Sequence, residues 1–340
     1  MLTHLLMLAI GLVLLFVILK SMVHVALMAR HDLDIIARLT RRTVHALIGL
    51  RLRNSRGYED SQRVLHWFFG TFILSLIGIY FFGAMTAFAL LYWGTWSVPS
   101  WYQAFIAAGS GLNTLGFATP PTPAGQWLAI PEGALGLGIV VFLFTFIPGF
   151  QSVIRSRDDQ TAWLYARLSD LTSGASLLEW STRSKNPDGI DEIWEMWESW
   201  FRLLADTHCS SPMLAIVPSV QTGQSWIIAA AVVLDAASLS VSTVDSGNSQ
   251  AAMVCVRTGT RAITLIADAL SMNTKKDVGA RSDISRKEFD RLCSRLSAIG
   301  LTLKSDREAS WSEFVSLRSL YSGAISYVAR QMFVPQLFED

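Results

Sequence analysis

Side chains capable of catalysis or metal binding are scattered along the chain, and only one short segment groups several of them. Asp206, Thr207, His208 and Cys209 are consecutive. One histidine and one cysteine do not complete a zinc site, which takes about four ligands, so we interpret these residues as part of a packed core. No nucleophile, base and orienting acid stand out, and no glycine-rich phosphate-binding motif is found. The sequence therefore predicts neither an enzyme nor a resident metal or cofactor.

The chain is rich in apolar residues and has a long stretch without ionisable carboxylates or basic groups. Hydrophobic residues make up 51% of the 340 positions and the mean hydropathy is +0.37, which favours a membrane protein. Between Val64 and Pro131 there is no Asp, Glu, Lys or Arg. Glu132 follows directly, and an acid in such a setting is as a rule functional or paired with another group.

Three segments are predicted to cross the membrane. Residues 5–29, 65–93 and 127–150 are each long enough for a hydrocarbon core of about 30 Å. Residues 223–243 are strongly apolar only until Asp235 interrupts them, so we expect a buried helix of a cytoplasmic domain there.

The basic loop after the first crossing predicts the orientation. Residues 30–63 hold eight Arg against four acidic residues, which places them in the cytoplasm by the positive-inside rule. The amino terminus and residues 94–126 are then outside, and everything after Phe150 is cytoplasmic. We expect a multi-pass protein of the inner or plasma membrane. The apolar spacing in the loop predicts an amphipathic helix on anionic headgroups, with candidate lipid contacts at Arg41, Arg42, Arg51 and Arg53.

The external loop carries no charge, which is unusual for a loop in water. Residues 99–112 have the spacing of a short helix, with Pro99 at its start and Trp101, Phe105 and Ile106 to bury. We predict that this helix re-enters the membrane. Backbone that does so must be surrounded by protein or line a water-filled cavity, so the prediction requires an oligomer or a partner.

Residues after this helix resemble the potassium-channel pore-loop superfamily. Residues 111–120, Gly-Leu-Asn-Thr-Leu-Gly-Phe-Ala-Thr-Pro, are similar to the filter consensus Thr-Val-Gly-Tyr-Gly. The segment that follows is similar to the start of the inner helix, with Gly125 at its beginning and Gly136 at the hinge position. The resemblance covers about residues 64–150 and is to the two-transmembrane type of pore known from bacteria, here with an extra N-terminal transmembrane helix.

The resemblance implies a homotetramer that conducts a permeant monovalent cation, with potassium expected. Backbone carbonyls of four loops would replace the water shell of the ion, and glycine would allow the left-handed backbone that this needs. Gly136 would be the gating hinge, although close helix packing explains such glycines equally well. Glu132 would either support the filter from behind or face the pore. The filter residues would be Thr114, Leu115, Gly116, Phe117 and Ala118.

Two departures from the family pattern leave alternatives open. Ala118 replaces the second filter Gly, and an L-residue in a left-handed conformation costs about 1–2 kcal/mol. Thr119 stands where many family members have an acid that attracts cations. A non-selective cation channel is therefore one alternative. A non-conducting membrane-anchored sensor or scaffold with a degenerate pore is the other.

The predicted fold is an all-α membrane protein with three transmembrane helices, a re-entrant pore helix, a filter loop and a helical cytoplasmic domain for gating or assembly. A net charge of +1 gives no reason to expect a nucleic-acid partner. Three well-separated cysteines are expected to be reduced and buried. The predicted domains are residues 1–29, 30–63, 64–150 and 151–340. Helices are predicted in the last of these at 161–181, 189–206, 249–271, 285–299 and 308–334, with a tryptophan-rich core face on the second.

Overall fold

The structure is a computed structural model, and its described part is helical. The only β-type pairing in that part is an isolated bridge between Val244 and Leu303. The described residues are 1–26, 34–52, 58–168, 173–184, 189–245, 250–270 and 284–334. The loop predicted at residues 273–283 lies outside them.

The helices follow the order predicted for an all-α protein. They are α1 (Leu2–Ala26), α2 (Ile35–Leu52), α3 (Tyr58–Gly94), α4 (Trp101–Leu112), α5 (Pro123–Tyr165), α6 (Ala175–Arg183), α7 (Gly189–Ser210), α8 (Met213–Ile216), α9 (Trp226–Thr243), α10 (Gln250–Ala269), α11 (Arg286–Ala298), α12 (Arg307–Ser319) and α13 (Ser322–Gln331).

Within the described residues, α1, α3, α5 and α9 are long and apolar enough to cross a membrane, judged by length and composition. The sequence predicted three crossings, which correspond to α1, α3 and α5, although α3 and α5 both extend beyond the predicted ranges. The fourth helix, α9, differs from them because 89% of its apolar window is buried. This burial is what the interpretation of α9 as a core helix predicts.

The described residues divide into two compact units. The first contains Met1–Leu50 and Trp67–Gln151, and the second contains Arg51–His66 and Ser152–Asp340. The second unit therefore includes residues 58–66 of α3 and residues 152–165 of α5. The functions assigned to the four predicted domains remain predictions.

In the first unit, small residues let α1 approach α3 closely. A Cβ atom on Gly11 would lie 3.0 Å from the carbonyl oxygen of Ala87, and one on Gly94 would lie 3.0 Å from that of His4. Such small residues allow apolar helices to pack without a hydrophobic driving force between them. A polar contact adds to this packing, because the Ser21 hydroxyl lies 2.8 Å from the hydroxyl of Tyr80.

In the second unit, α9 is enclosed by α6, α10, α12 and α13. Its one acid, Asp235, accepts hydrogen bonds from the hydroxyl of Tyr321 at 2.6 Å and from Nε of Arg318 at 3.3 Å. The charge that interrupts the apolar run is thus paired with neighbouring helices. The tryptophan-rich face of α7 is buried as predicted, at Trp194, Trp197, Trp200 and Phe201.

Two helices predicted for this unit are broken. The segment 161–181 divides because α5 ends at Tyr165 and α6 begins at Ala175. Gly174 lies between them and contacts the backbone of α9 so closely that a Cβ would come within 2.3 Å of the Ala236 nitrogen. The segment 308–334 divides at Tyr321, whose side chain turns inward to Asp235.

The three cysteines are free thiols, as expected, but they are not equally buried. Cys255 and Cys293 are buried, whereas Cys209 is only partly so. The expectation of a buried thiol is therefore wrong for Cys209, which lies near the end of α7. Burial raises the pKa of Cys255, so its thiolate forms only when this core opens.

His208 is fully buried, as the interpretation of residues 206–209 as core predicts. The interpretation is wrong for Asp206, which is exposed, and Thr207 is only half-buried. Nδ1 of His208 lies 2.9 Å from the hydroxyl oxygen of Thr207. Burial, and then the nearby charge of Arg157, lower the pKa of His208 well below its usual value. The unfolded chain therefore binds this proton more readily than the folded chain does.

We expect the second unit to lose stability as the pH falls below about 6.5, by about 1.4 kcal/mol per pH unit for this single proton. His208→Gln should remove that part of the slope. The measurement is the rate at which Cys255 is labelled in mild denaturant, with variants compared at each pH. His66→Gln, at an exposed position, is the control, and an unchanged slope in His208→Gln would contradict the assignment.

Candidate functional site

The short helix α4 begins at Trp101, two residues after the proline predicted to start it. The hydroxyl of Ser100 accepts a hydrogen bond from the Gln103 amide at 3.2 Å and caps the helix. With 12 residues, α4 is about 18 Å long, too short to cross a hydrocarbon core of about 30 Å.

Within one subunit, the face that α4 buries holds mainly small residues. Trp101 is 43% exposed, Phe105 and Ile106 are half-buried, and Ser110 and Leu112 are buried near the end of the helix. The alanines Ala104, Ala107 and Ala108 are also buried. They pack against α3 in a cluster that includes Phe88 and Tyr92. The alanines let the backbone of α4 come close to α3 within one subunit. The sequence predicted burial of Trp101 together with an oligomer or a partner, and this burial remains a prediction.

The loop after α4, residues 113–118, folds back onto Ser110. The Ser110 carbonyl accepts hydrogen bonds from the amides of Leu115 at 2.9 Å and Gly116 at 3.4 Å. The Ser110 hydroxyl accepts one from the amide of Ala118 at 3.0 Å. One fully buried serine thus binds three amides of the loop. Sequence reasoning missed Ser110, and the available signal was that it is the one polar side chain between Gln103 and Asn113.

The carbonyl groups of this loop have no such partners. Among the described residues, no hydrogen bond is accepted by the carbonyl oxygens of residues 113–118, and residues 113–117 are exposed. Apolar side chains are exposed with them, at 66% for Leu115 and 70% for Phe117. The loop therefore directs its donors towards α4 and leaves its acceptors unpaired.

Two residues of the loop have left-handed backbone conformations, and they alternate. Thr114 has a φ of 56° and Gly116 has a φ of 69°. Glycine adopts this conformation freely, whereas for β-branched threonine it is an outlier that costs about 1–3 kcal/mol. The sequence indicated that Ala118 would bear such a cost only if its backbone were left-handed. Ala118 has no positive φ and its amide is held by Ser110, so it does not bear that cost.

Glu132 on α5 is buried beside the end of α4. One carboxylate oxygen accepts a hydrogen bond from the hydroxyl of Tyr92, and the other has no partner in the described part of the chain. A Cβ on Gly111 would lie 2.3 Å from the carboxylate. The sequence left open whether Glu132 supports the filter from behind or faces the pore. Its burial and its bond to Tyr92 agree with support from behind, and both roles remain predictions.

Gly136 also contacts the end of α4. A Cβ at this position would lie 1.8 Å from the carbonyl oxygen of Leu112, so the two backbones touch. Helix α5 continues through this point without a break. Close packing therefore accounts for this glycine, and its role as a hinge remains a prediction. Close packing also accounts for the glycine at position 125, since a Cβ there would lie 2.3 Å from the Cβ of Pro120.

The structure thus brings Glu132 and Gly136 to the helix end from which the candidate filter, residues 114–118, departs. The arginines suggested for lipid binding differ in exposure, because Arg41 is buried whereas Arg42 and Arg51 are exposed. Arg53 lies outside the described residues. A lipid contact therefore remains a prediction for the exposed pair.

Comparison with known proteins gives no family assignment. No protein-family model matches the chain, and neither a curated protein nor a solved structure does.

We expect Ser110→Ala to free the amide of Ala118, because the substitution removes its acceptor. Leaving a buried donor unpaired costs about 1–3 kcal/mol. Hydrogen exchange of a peptide that contains Ala118 should therefore become faster, as measured by mass spectrometry on the purified protein. Ser97→Ala is the control, since Ser97 is also fully buried but bonds to Thr95. Equal exchange in both variants would argue against the role of Ser110.

Gly136→Ala should destabilise the first unit. The added methyl group would collide with backbone rather than with a flexible side chain, and such overpacking costs about 1–3 kcal/mol or more. Gly138→Ala is the matched control, because a Cβ there meets nothing within 4 Å. The measurement is the thermal unfolding temperature of each variant in detergent. Equal stability of Gly136→Ala and Gly138→Ala would contradict the close packing of Gly136 against α4.

Proposed function

We propose that the chain is one subunit of a homotetrameric channel for passive cation conduction, with potassium as the expected ion. The observation that carries the proposal is the set of unpaired carbonyl oxygens in residues 113–118. A dehydrated cation needs such a set of oxygen ligands to replace its water. The left-handed conformations at Thr114 and Gly116 support this, because successive carbonyls can share one direction only if the backbone alternates.

The length of α4 supports a re-entrant arrangement. A helix of about 18 Å followed by a loop with unpaired acceptors would be unfavourable against lipid, since backbone polar groups at membrane depth need protein or a water-filled cavity around them. The exposure of the apolar loop residues Leu115 and Phe117 also supports this arrangement. Four copies around a central axis would cover these side chains and leave the carbonyls facing the ion.

A membrane location follows from the apolar helices, and the predicted orientation from the arginine-rich segment. Residues 30–63 would be cytoplasmic, which places residues 94–126 outside and the second unit inside. In that arrangement the second unit would gate or assemble the channel.

One observation favours a second candidate, a non-selective cation channel. Ala118 does not adopt a left-handed conformation, and its amide is bound by Ser110. The outermost ring of carbonyls would then differ from that of the potassium-channel pore-loop superfamily. With fewer rings of ligands, discrimination between potassium and sodium would weaken.

The experiment that tests the proposal is cation flux into liposomes that contain the purified protein, with potassium and sodium gradients compared. Potassium flux above sodium flux supports the favoured proposal, and equal fluxes support the non-selective channel. Gly116→Ala should lower flux about tenfold or more, since alanine at a positive φ costs about 1–2 kcal/mol in every subunit.

Gly78→Ala is the matched control for this substitution. It makes the same chemical change on α3, where a Cβ meets nothing within 4 Å, and flux should stay at the wild-type level. Flux that resists Gly116→Ala would mean that ions do not pass through residues 113–118. Absence of any cation flux from well-folded protein would contradict conduction and leave the sensor or scaffold.

A further inference from the structure

Polar side chains from α3 and α5 converge on the segment that joins α8 to α9. This segment, residues 217–225, will be called the coupling loop. The side chains that bind it are on residue 62 of α3 and residues 157–165 of α5, and all of them belong to the second unit.

Gln62 binds the coupling loop through both ends of its amide. Its oxygen accepts a hydrogen bond from the amide of Gly223 at 2.9 Å, and its nitrogen donates to the carbonyl of Gln224 at 3.0 Å. The side chain is buried, with 4% exposed. Because a buried amide that loses its partners is unfavourable, this pair of bonds keeps α3 and the loop together.

Arg157 holds the other end of the coupling loop. Its guanidinium is fully buried and donates to the carbonyls of Leu214 at 2.9 Å and Val217 at 3.1 Å. Nε of Arg157 also donates to Asp158 at 2.8 Å. A buried guanidinium is stable only when its donors are satisfied in this way, so the position of the loop and that of α5 depend on each other.

Two further bonds extend the contact along α5. The other carboxylate oxygen of Asp158 accepts a hydrogen bond from the amide of Val220 at 2.7 Å. The hydroxyl of Tyr165 accepts one from the amide of Ser225 at 2.9 Å. Helix α5 thus holds the coupling loop at its start, middle and end. The tip of the loop stays exposed, and Val220 is 63% exposed.

We propose that the coupling loop restrains the channel by tying the end of α5 to the start of α3. This inference rests on the proposed function, in which α5 is the inner helix. A change in conduction requires that helix to move, and movement of residues 157–165 relative to Gln62 would break the bonds described above. The restraint holds α5 in one position, and weakening it changes conduction without altering selectivity.

Gln62→Ala tests the proposal without disturbing the buried charge of Arg157. The loss of two hydrogen bonds shifts a two-state equilibrium by roughly fivefold or more. We expect hydrogen exchange of residues 217–225 to become faster in the full-length protein. Potassium flux into liposomes should change by roughly the same factor, with an unchanged ratio of potassium to sodium flux. Gln151→Ala, at an exposed position on α5, is the control and should behave as the wild type.

The outcomes separate this proposal from the one on which it rests. Unchanged exchange in Gln62→Ala would overturn the restraint itself. Faster exchange with wild-type flux would overturn the coupling, while conduction stands. A wild-type protein that conducts no cation would contradict the proposed function, and the exchange measurement would still report whether Gln62 holds the loop.

Discussion

The need to satisfy the backbone hydrogen bonds of residues 113–118 shapes the first unit around α4. Residues 113–118 have no helix or strand in which to pair their amides, and no charged side chain is near in sequence to help. The carbonyl and hydroxyl of Ser110 meet this need for three amides, and the carbonyls of Gly109 and Gly111 meet it for Asn113 and Thr114. The acceptors have no partner in the described part of the chain, and in the proposed re-entrant arrangement they would require a ligand, water or a cation. The proposed conduction path follows from this imbalance between donors and acceptors.

Helix α5 connects this loop with the rest of the chain. Near its start, Glu132 and Gly136 contact the end of α4, so the shape of α5 there fixes where the loop begins. Near its end, Arg157 binds the carbonyls that precede and begin the coupling loop. Because one helix carries both sets of contacts, a change at either end has a physical route along α5. In the proposed channel, this route would let the second unit regulate the pore.

The sequence predicted the features that depend on composition and spacing. The apolar lengths of α1, α3 and α5 and the short α4 could be read from hydropathy and from the Pro99 and glycine signals. The finer features depend on contacts between residues far apart in the chain, and no local pattern encodes them. The role of Ser110 depends on the loop folding back onto it, which the sequence does not show. Position 114 is not a glycine, so the sequence gives no sign that the backbone there is left-handed. Gln62 is 161 residues from its partner Gly223.

The distribution of charge has a further consequence for selectivity in the proposed channel. Between Val64 and Pro131 there is no charged side chain, and Glu132 is buried behind α4 rather than exposed. A cation in the loop would therefore meet carbonyl dipoles without a nearby fixed charge. The attraction of a cation to a dipole decreases faster with distance than its attraction to a charge does. The exact positions of the carbonyl oxygens therefore matter more for binding the cation. Those positions are set by the backbone angles at Thr114 and Gly116 and by the bonds to Ser110. Selectivity would then depend on neutral residues that a search for ionisable groups does not find.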